Sequence, residues 1–549
     1  MKNSKIKKLC AITLALTLGF STLVGCGGES NKSGESGQVL TYNLAADPKT
    51  LDPALNASLD GGIVLGNVFE GLCKLDNNDK AIPGMAESWD VSNDGTVYTF
   101  HLRDSKWSNG DPVKASDFEY AWKRVLNPEL AAEYAYQMTY IKGADGYNRG
   151  KSSVDDVGIK VIDDKTLEVI LAQPCSYFLE LTAFPCYFPV NKTLVEGNGQ
   201  WANKAETYVS NGPFKITDYK IKDQIVLEKN ENYYSKDTVK LDKVNVKLVT
   251  EFTSAWAGYQ SGEFDMVDKV PTSEITSALA DGSAQSFKTL ANYFYVVNFD
   301  AAKTSAIDPN ATKVLQDKRV RKALNLAIDR EAIVENVTKG GETAAHSFVT
   351  PGIIEGNGKD FASKEYFKPH GDLEEAKKLL AEAGYPNGEG FPTLVCTFNP
   401  EEPNTNVAQA VQDMWKNNLG INVQLQSQEW KVFQTTRTSG QYEIGRHGWT
   451  GDYVDPMTFL EMWESNSGMN VAKYKSEEYD KLINAAKSEQ NSEKRFELLH
   501  KAEDILMEDM PILPLYYKVE VKGIKTYVKD VRVSPLGFVY FDKAYIEGK

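Results

Sequence analysis

The chain is predicted to be an α/β protein, and three stretches carry that prediction. Val407, Val411, Met414, Trp415 and Leu419 recur at helical spacing up to Gly420, after which Ile421, Val423 and Leu425 alternate as a strand does. Thr96-Val97-Tyr98-Thr99-Phe100-His101-Leu102 alternates in the same way. After a Gly/Asp/Pro turn, Ser116 and Glu119 form a capping box for a helix that presents Phe118, Ala121, Trp122 and Val125 on one face. Asp372 and Glu375 make a second capping box, ahead of Leu373, Ala376, Leu379, Leu380 and Ala383. Gly384 stops that helix and Pro386 forbids its restart. Val320, Ala323, Leu324, Ala327 and Ile328 add one more apolar helical face. Helix and strand alternating through one chain mean mixed layers of both.

The amino terminus reads as an address. Lys2, Lys5, Lys7 and Lys8 precede an apolar run from Leu9 to Val24 that is too short and wrongly flanked for a stable membrane span, so residues 1–25 are expected to be a signal peptide. The run ends in Leu23-Val24-Gly25-Cys26, which resembles the lipobox of bacterial lipoproteins and implies a diacylglyceryl group on the Cys26 thiol. Residues 26–38, rich in Gly and Ser, form a flexible tether behind that anchor. Acyl chains on both the thiol and the new terminal amine supply the two signals that stable attachment needs. The expected location is the outer face of the cell membrane.

Composition narrows the function. With the four leader lysines gone, the formal charge of −15 becomes −19. That balance argues against nucleic acid, which needs a basic stripe. At roughly 150 residues per domain the mature chain predicts about three domains. Cys73, Cys175, Cys186 and Cys396 are too few and too scattered for a disulfide scaffold, and no C-x-x-C pair suggests zinc. Cys175 and Cys186 either bridge a short loop or stay as buried thiols. His101, His346, His370, His447 and His500 show no metal-ligand spacing, and no G-x-S-x-G elbow exposes a serine nucleophile. Gly150-Lys151-Ser152 looks like the end of a phosphate loop, but Asp145 stands where that motif needs Gly. No cofactor, metal or enzymatic activity is expected.

One passage does carry recognition chemistry. Trp430 to Arg437, and then Tyr442 to Pro456, place Trp, Arg, Gly and Asp in what reads as a short strand-to-loop segment. A planar guanidinium from Arg437 or Arg446 suits a carboxylate, the Asp452 carboxylate suits an ammonium, and backbone near Gly448 and Gly451 can approach a ligand closely. A zwitterion has both ends to satisfy. The competing reading has Asp452 capping a turn while the two arginines make surface ion pairs.

Arg446-His447-Gly448-Trp449-Thr450-Gly451-Asp452-Tyr453, followed by Asp455-Pro456-Met457-Thr458-Phe459-Leu460, resembles the signature of oligopeptide-binding proteins, the receptors of ABC importers. Thr50-Leu51-Asp52-Pro53, Phe69-Glu70-Gly71-Leu72, Pro83 to Trp89, Phe100 to Arg103, Lys106 to Gly110, Asn211 to Phe214, Val320 to Leu324, Asp329-Arg330 and Pro511 to Tyr517 resemble the family in the same order. The likeness covers most of residues 40–530. Receptors for dipeptides, murein peptides, nickel chelates and some sugars share these segments, so a nickel chelate, a sugar or a signalling peptide is the alternative cargo.

The resemblance implies a two-lobed clamp of the periplasmic-binding-protein kind (type II, the large cluster), with an extra domain in lobe one. Lobe one is expected at 39–69 with 192–291 and 518–549, the extra domain at 70–191, and lobe two at 292–517. Ligand would lie between the lobes and be engulfed on closure. It also implies that Asp452 takes the peptide ammonium and that Arg437 and Arg446 take the carboxylate. Main-chain pairing would come from around Leu59, Gly448, Trp449, Thr450 and Asp452, and Tyr134 and Trp430 would line the cleft. Three family positions differ here: a cation falls on Thr338 beside Lys339, a carboxylate-facing histidine on Asn404, and a backbone-contacting tyrosine on Lys518. A disulfide of some members would join the positions of Ala291 and Thr450, neither of which is Cys. The expected partners are short peptides, the importer permease and, through its anchor, the membrane; the receptor is expected to be a monomer.

Overall fold

The computed structural model describes residues 37–300 and 309–549. The leader, Cys26 and the tether as far as Ser36 lie outside the described residues. The strands used below are, in chain order, β1 (Val39–Asn43), β2 (Cys73–Leu75), β3 (Ala81–Pro83), β4 (Ala86–Val91), β5 (Val97–Leu102), β6 (Ile159–Asp163), β7 (Thr166–Ile170), β8 (Phe214–Lys220) and β9 (Gln224–Lys229). They continue as β10 (Lys243–Lys247), β11 (Met266–Val267), β12 (Ala284–Val297), β13 (Thr343–Ala344), β14 (Leu394–Phe398), β15 (Val423–Ser427), β16 (Ile444–Thr450) and β17 (Ile512–Ile524).

The helix predicted around Val407 runs from Glu402 to Leu419 and joins β14 to β15, which pair in parallel. A parallel pair needs such a crossover, so this is a βαβ unit. The Trp415 indole N–H donates to Leu324 O at 2.8 Å and fixes the helix on its neighbour. Gly420 ends it at φ +73, where a Cβ would sit 2.3 Å from Asn387 O, so no other residue fits. The Asp372 cap is as expected, its Oδ1 accepting the Glu375 N–H at 3.2 Å.

Two local expectations are corrected. The helix expected from Ser116 spans Ala115–Leu126, and its cap is Asp117, which accepts the Lys114 N–H at 3.0 Å. Asp117 is also held by the Trp107 indole N–H at 3.1 Å, while Glu119 pairs outward with Lys123. The passage from Trp430 is not strand and loop: Trp430–Ser439 is a helix, started by the Glu429 carboxylate on two backbone N–H groups and stopped at Gly440, φ +73. Cys73, Cys175, Cys186 and Cys396 are all buried free thiols, which resolves the Cys175–Cys186 alternative. Among the described residues, no helix is long and apolar enough to cross a membrane.

Eleven strands form one mixed sheet in the order β15-β14-β16-β12-β17-β11-β1-β10-β9-β8, with β13 beside β17. A separate antiparallel sheet, β4-β5-β7-β6, carries the 115–126 helix. Only β12 and β17 serve both flanks of the large sheet. Their ladder runs Ala284–Lys288 against Val519–Gly523, breaks, and resumes at Asn292 against Tyr517. A distinct core of Tyr295, Leu324, Trp415 and Leu513 covers the β14–β16 flank. Burial of such side chains is what holds each flank to its helices.

Candidate functional site

Side chains of β16 alternate in burial. Ile444, Gly445, His447 and Trp449 are buried, while Arg446, Gly448 and Thr450 share the more open face. Past Gly445, β16 has a ladder partner on its β12 side alone, so among the described residues the other edge carries no strand. Arg446 folds back along that face, its Nη2 4.0 Å from where a Gly448 Cβ would lie, and its guanidinium is 5.1 Å from the Tyr293 ring. Gly448 therefore keeps the strand surface low beside a cation.

Two residues beyond Thr450, Asp452 is buried and has no cation partner among the described residues. Its Oδ1 accepts from the Tyr134 hydroxyl at 3.2 Å and its Oδ2 from the Gln137 amide at 2.6 Å. The Asp452 N–H donates to Thr458 Oγ1 at 2.9 Å. The Gln137 amide is itself oriented, its Oε1 lying 3.6 Å from Cys186 Sγ. Burial, reinforced by the nearby Glu461 carboxylate, holds Asp452 well above the usual carboxylate range against its hydrogen bonds.

Arg437 reaches the same region from the Trp430–Ser439 helix, its guanidinium 5.5 Å from the Phe433 ring and 6.0 Å from the Trp430 ring. Burial pushes Arg437 down to about 10, and repulsion from Arg446 adds to the effect. Neither arginine has an ion partner among the described residues, and the Nε of each is buried without an acceptor. Beside Arg437 a small pocket is lined by Lys49, Ser58, Glu133, Gln434, His447 and Met469. His447 stacks on Phe294 at 4.8 Å, and burial holds it well below its usual range. It stays neutral and adds no charge to the pocket.

The structure thus brings Asp452, Tyr134, Arg437, Arg446, Trp430 and Gly448 to one region. Leu59 begins the helix Leu59–Val68 and its side chain packs against Gly537. Trp449 turns to the opposite face of β16 and packs into the core there, while its backbone N–H donates to Asn292 Oδ1 at 3.2 Å. Gly451 is packed against Thr458 and Phe459 rather than open to a ligand. Thr450 is the cross-strand partner of Ala291, the pair at which the resemblance implies a disulfide elsewhere. Thr338 is occupied by Glu342 at 2.8 Å, Lys339 is exposed, and Asn404 bonds Asn399 at 3.1 Å. Gln137 and Glu461 were not foreseen. Gln137 meets Asp452 across 315 positions of sequence, and no local pattern marks it.

A polar seam continues from the site. Glu461 accepts from Tyr140 and Tyr453 at 2.6 Å each, Tyr177 stacks on Tyr453 at 4.5 Å, and Arg495 holds Asp455 by two bonds of 2.8 Å.

Residues 80–471 match the bacterial extracellular solute-binding proteins, family 5 Middle. The chain belongs to this family. It is a family of solute-binding proteins rather than of enzymes. The oligopeptide-binding protein OppA of Bacillus subtilis is 38% identical over 561 residues, spanning 99% of this chain and 100% of the relative. The periplasmic oligopeptide-binding protein OppAIV of Borrelia burgdorferi superimposes with a TM-score of 0.86 at 32% identity, covering 93% of this chain and 100% of the other. The fold is the two-lobed clamp of these proteins. The murein tripeptide binding protein MppA of Escherichia coli matches with a TM-score of 0.84 at 30% identity over 93% of this chain and 99% of its own. The unliganded open form of MppA, also 30% identical, covers 93% and 98% but reaches only 0.64. The chain described here thus differs in arrangement from that open form.

Proposed function

We propose that this protein is a non-enzymatic receptor that captures short peptides between two lobes and delivers them to the permease of an ABC importer. The observation that carries it is a set of unmatched ionisable groups at β16 and just past its end. Among the described residues, Asp452 is a buried carboxylate with no cation, and six residues back Arg446, with Arg437 beside it, is a cation with no carboxylate. A buried charge needs a partner, and an extended zwitterion supplies both. Six residues of extended chain reach at most about 20 Å, the length of a short peptide. The open edge of β16 would then pair with the peptide main chain irrespective of its sequence.

Lobe one is assigned to 39–69, 192–291 and 518–549, its extra domain to 70–191, and lobe two to 292–517. This division is supported by the break in the β12–β17 ladder, which falls at those boundaries, and by the β4–β7 sheet lying inside the extra domain. Asp452 receives the ammonium, Arg437 and Arg446 the carboxylate, and Tyr134 and Trp430 line the cleft. The receptor works as a monomer, held at the outer face of the membrane by lipid on Cys26.

Mass spectrometry of material purified without refolding tests the cargo. A mixture of short peptides is expected; a single non-peptide species, such as a nickel chelate or a sugar, overturns the peptide reading. For the anchor, Cys26→Ser is expected to move the protein from the membrane fraction to the soluble one. Continued membrane retention of that variant removes the lipid from the proposal.

A further inference from the structure

Tyr293 is the cross-strand partner of both Gly448 and Tyr516, so these three residues share one face of the large sheet. Two residues along each strand, Arg446 and Lys518 lie on that face as well. The Tyr516 ring stacks on Tyr293 at 4.8 Å, and the Arg446 guanidinium sits 5.1 Å from the Tyr293 ring. The two tyrosines therefore make a flat platform with one cation at each side, Arg446 toward β16 and Lys518 toward the β17 end.

Lys518 is poorly neutralised where it stands. Its Nζ is 3.5 Å from Glu520 Oε1, with a quarter of the side chain exposed (26%). Glu520 is shared with Lys269, which holds it more tightly, and with Lys522 at 3.8 Å. Asp268, the other carboxylate of the group, is taken by Lys522, by Lys269 at 3.6 Å and by the Tyr42 hydroxyl at 2.7 Å. Three lysines thus share two carboxylates. Burial lowers the Lys518 ammonium, and Lys269 and Arg446 repel it further. A further anion at the platform would relieve Lys518, Lys269 and Arg446 at once, and a planar carboxylate is the anion a peptide brings.

We propose that Lys518 is a specificity-determining residue that binds a carboxylate of the captured peptide beside the Tyr293–Tyr516 platform, on the side away from Arg446. This rests on the peptide reading above. The carboxylate is either the peptide's own terminus, for one chain length, or an acidic side chain near it. Lys518 then selects among peptides that Asp452 holds by their other end.

The test is calorimetric titration of the full chain and of Lys518→Gln and Lys518→Arg with tri-, tetra- and pentaalanine. Each peptide is offered as free acid and as C-terminal amide, beside a tetrapeptide amide bearing one glutamate. Lys518→Gln is expected to weaken at least one free-acid length tenfold or more, to leave every all-alanine amide unchanged, and to be rescued by Lys518→Arg. A loss confined to the glutamate-bearing amide assigns the carboxylate to a side chain and upholds the proposal. Unchanged affinity for every peptide overturns it, and so does an equal loss for acids and amides, which would mark Lys518 as a partner of Glu520 alone. Should Lys518→Gln not fold, Lys518→Met carries the same comparison. If the unsubstituted chain binds none of the peptides, the peptide reading fails and takes this proposal with it; if it binds them and only the Lys518 contrast is missing, this proposal fails alone.

Discussion

Asp452→Asn weakens capture of peptides with a free amino terminus on the order of 10²–10³-fold, the equivalent of about 3–5 kcal/mol for unpairing a buried charge. Tyr134 and Gln137 both donate to Asp452, so the asparagine amide retains one acceptor but meets a donor with its other atom. The variant also discriminates no longer between a peptide and its N-acetylated form, whereas the unsubstituted protein prefers the free amine strongly. Equal affinity of the unsubstituted protein for both forms would remove Asp452 from the ammonium role.

A pH signature accompanies that loss. Burial raises Asp452 above its unfolded value near 3.9, so over the window between the two values the folded chain keeps a proton that the unfolded chain has released. Stability contributed by this group is therefore lost as pH rises through the window, and unliganded Asp452→Asn is at least as stable as the parent above it. Ligand binding has the opposite slope. An ammonium favours the charged carboxylate, so binding expels the proton and affinity climbs as pH rises through the raised value. It declines again above about pH 8, where the peptide amine itself deprotonates. Titrations in buffers of different ionisation enthalpy read the proton release directly, and Asp452→Asn abolishes it.

Asp455→Asn destabilises the unliganded fold by about 3–5 kcal/mol, seen as a lower urea midpoint. Arg495 holds both oxygens of Asp455 at 2.8 Å and lies 5.3 Å from the Tyr177 ring, with both charged side chains largely buried. This pairing keeps Arg495 above its ordinary value despite burial. Removing the carboxylate charge leaves the guanidinium uncompensated. Asp455→Asn combined with Arg495→Met recovers much of the loss, because it is the stranded charge that costs the energy. A single variant as stable as the parent would mean that water already neutralises this pair.

The parts of the fold that were legible in the sequence are those where one local period dominates. Val407 to Leu419 is long, striped and closed by Gly420, and it is the helix it promised to be. The Trp430–Ser439 helix was misread because Thr435, Thr436 and Thr438 are weak helix formers and its apolar face is little more than Trp430 and Phe433. Its ends decide it instead, through Glu429 and Gly440. The capping box expected at Ser116 and Glu119 falls two positions late, because Lys114 is not a residue type that marks a cap. At the site, Asp452, Arg437 and Arg446 were visible as chemistry within one passage, since all three lie within sixteen positions. Gln137, Cys186 and Glu461 were not, because what gives them meaning is contact across separate elements. Lys518 stood out in sequence only as a departure, and its meaning comes from the parity of two strands meeting at Tyr293.

The break in the β12–β17 ladder bears on how ligand gets in and out. Around it, Thr289 Oγ1 donates to Lys518 O at 2.8 Å, the Leu290 N–H to Pro535 O at 2.7 Å, and the Gly451 N–H to Leu290 O at 2.8 Å. On the proposed division, a clamp pivoting there would bend the two strands at their unpaired residues and leave the ladders on either side whole. On the proposed division into lobes, the residence time of a captured peptide would be set by the stiffness of Thr289, Leu290 and Ala291. Affinity and exchange rate would then be separately adjustable, the first at β16 and the second at Thr289 to Ala291.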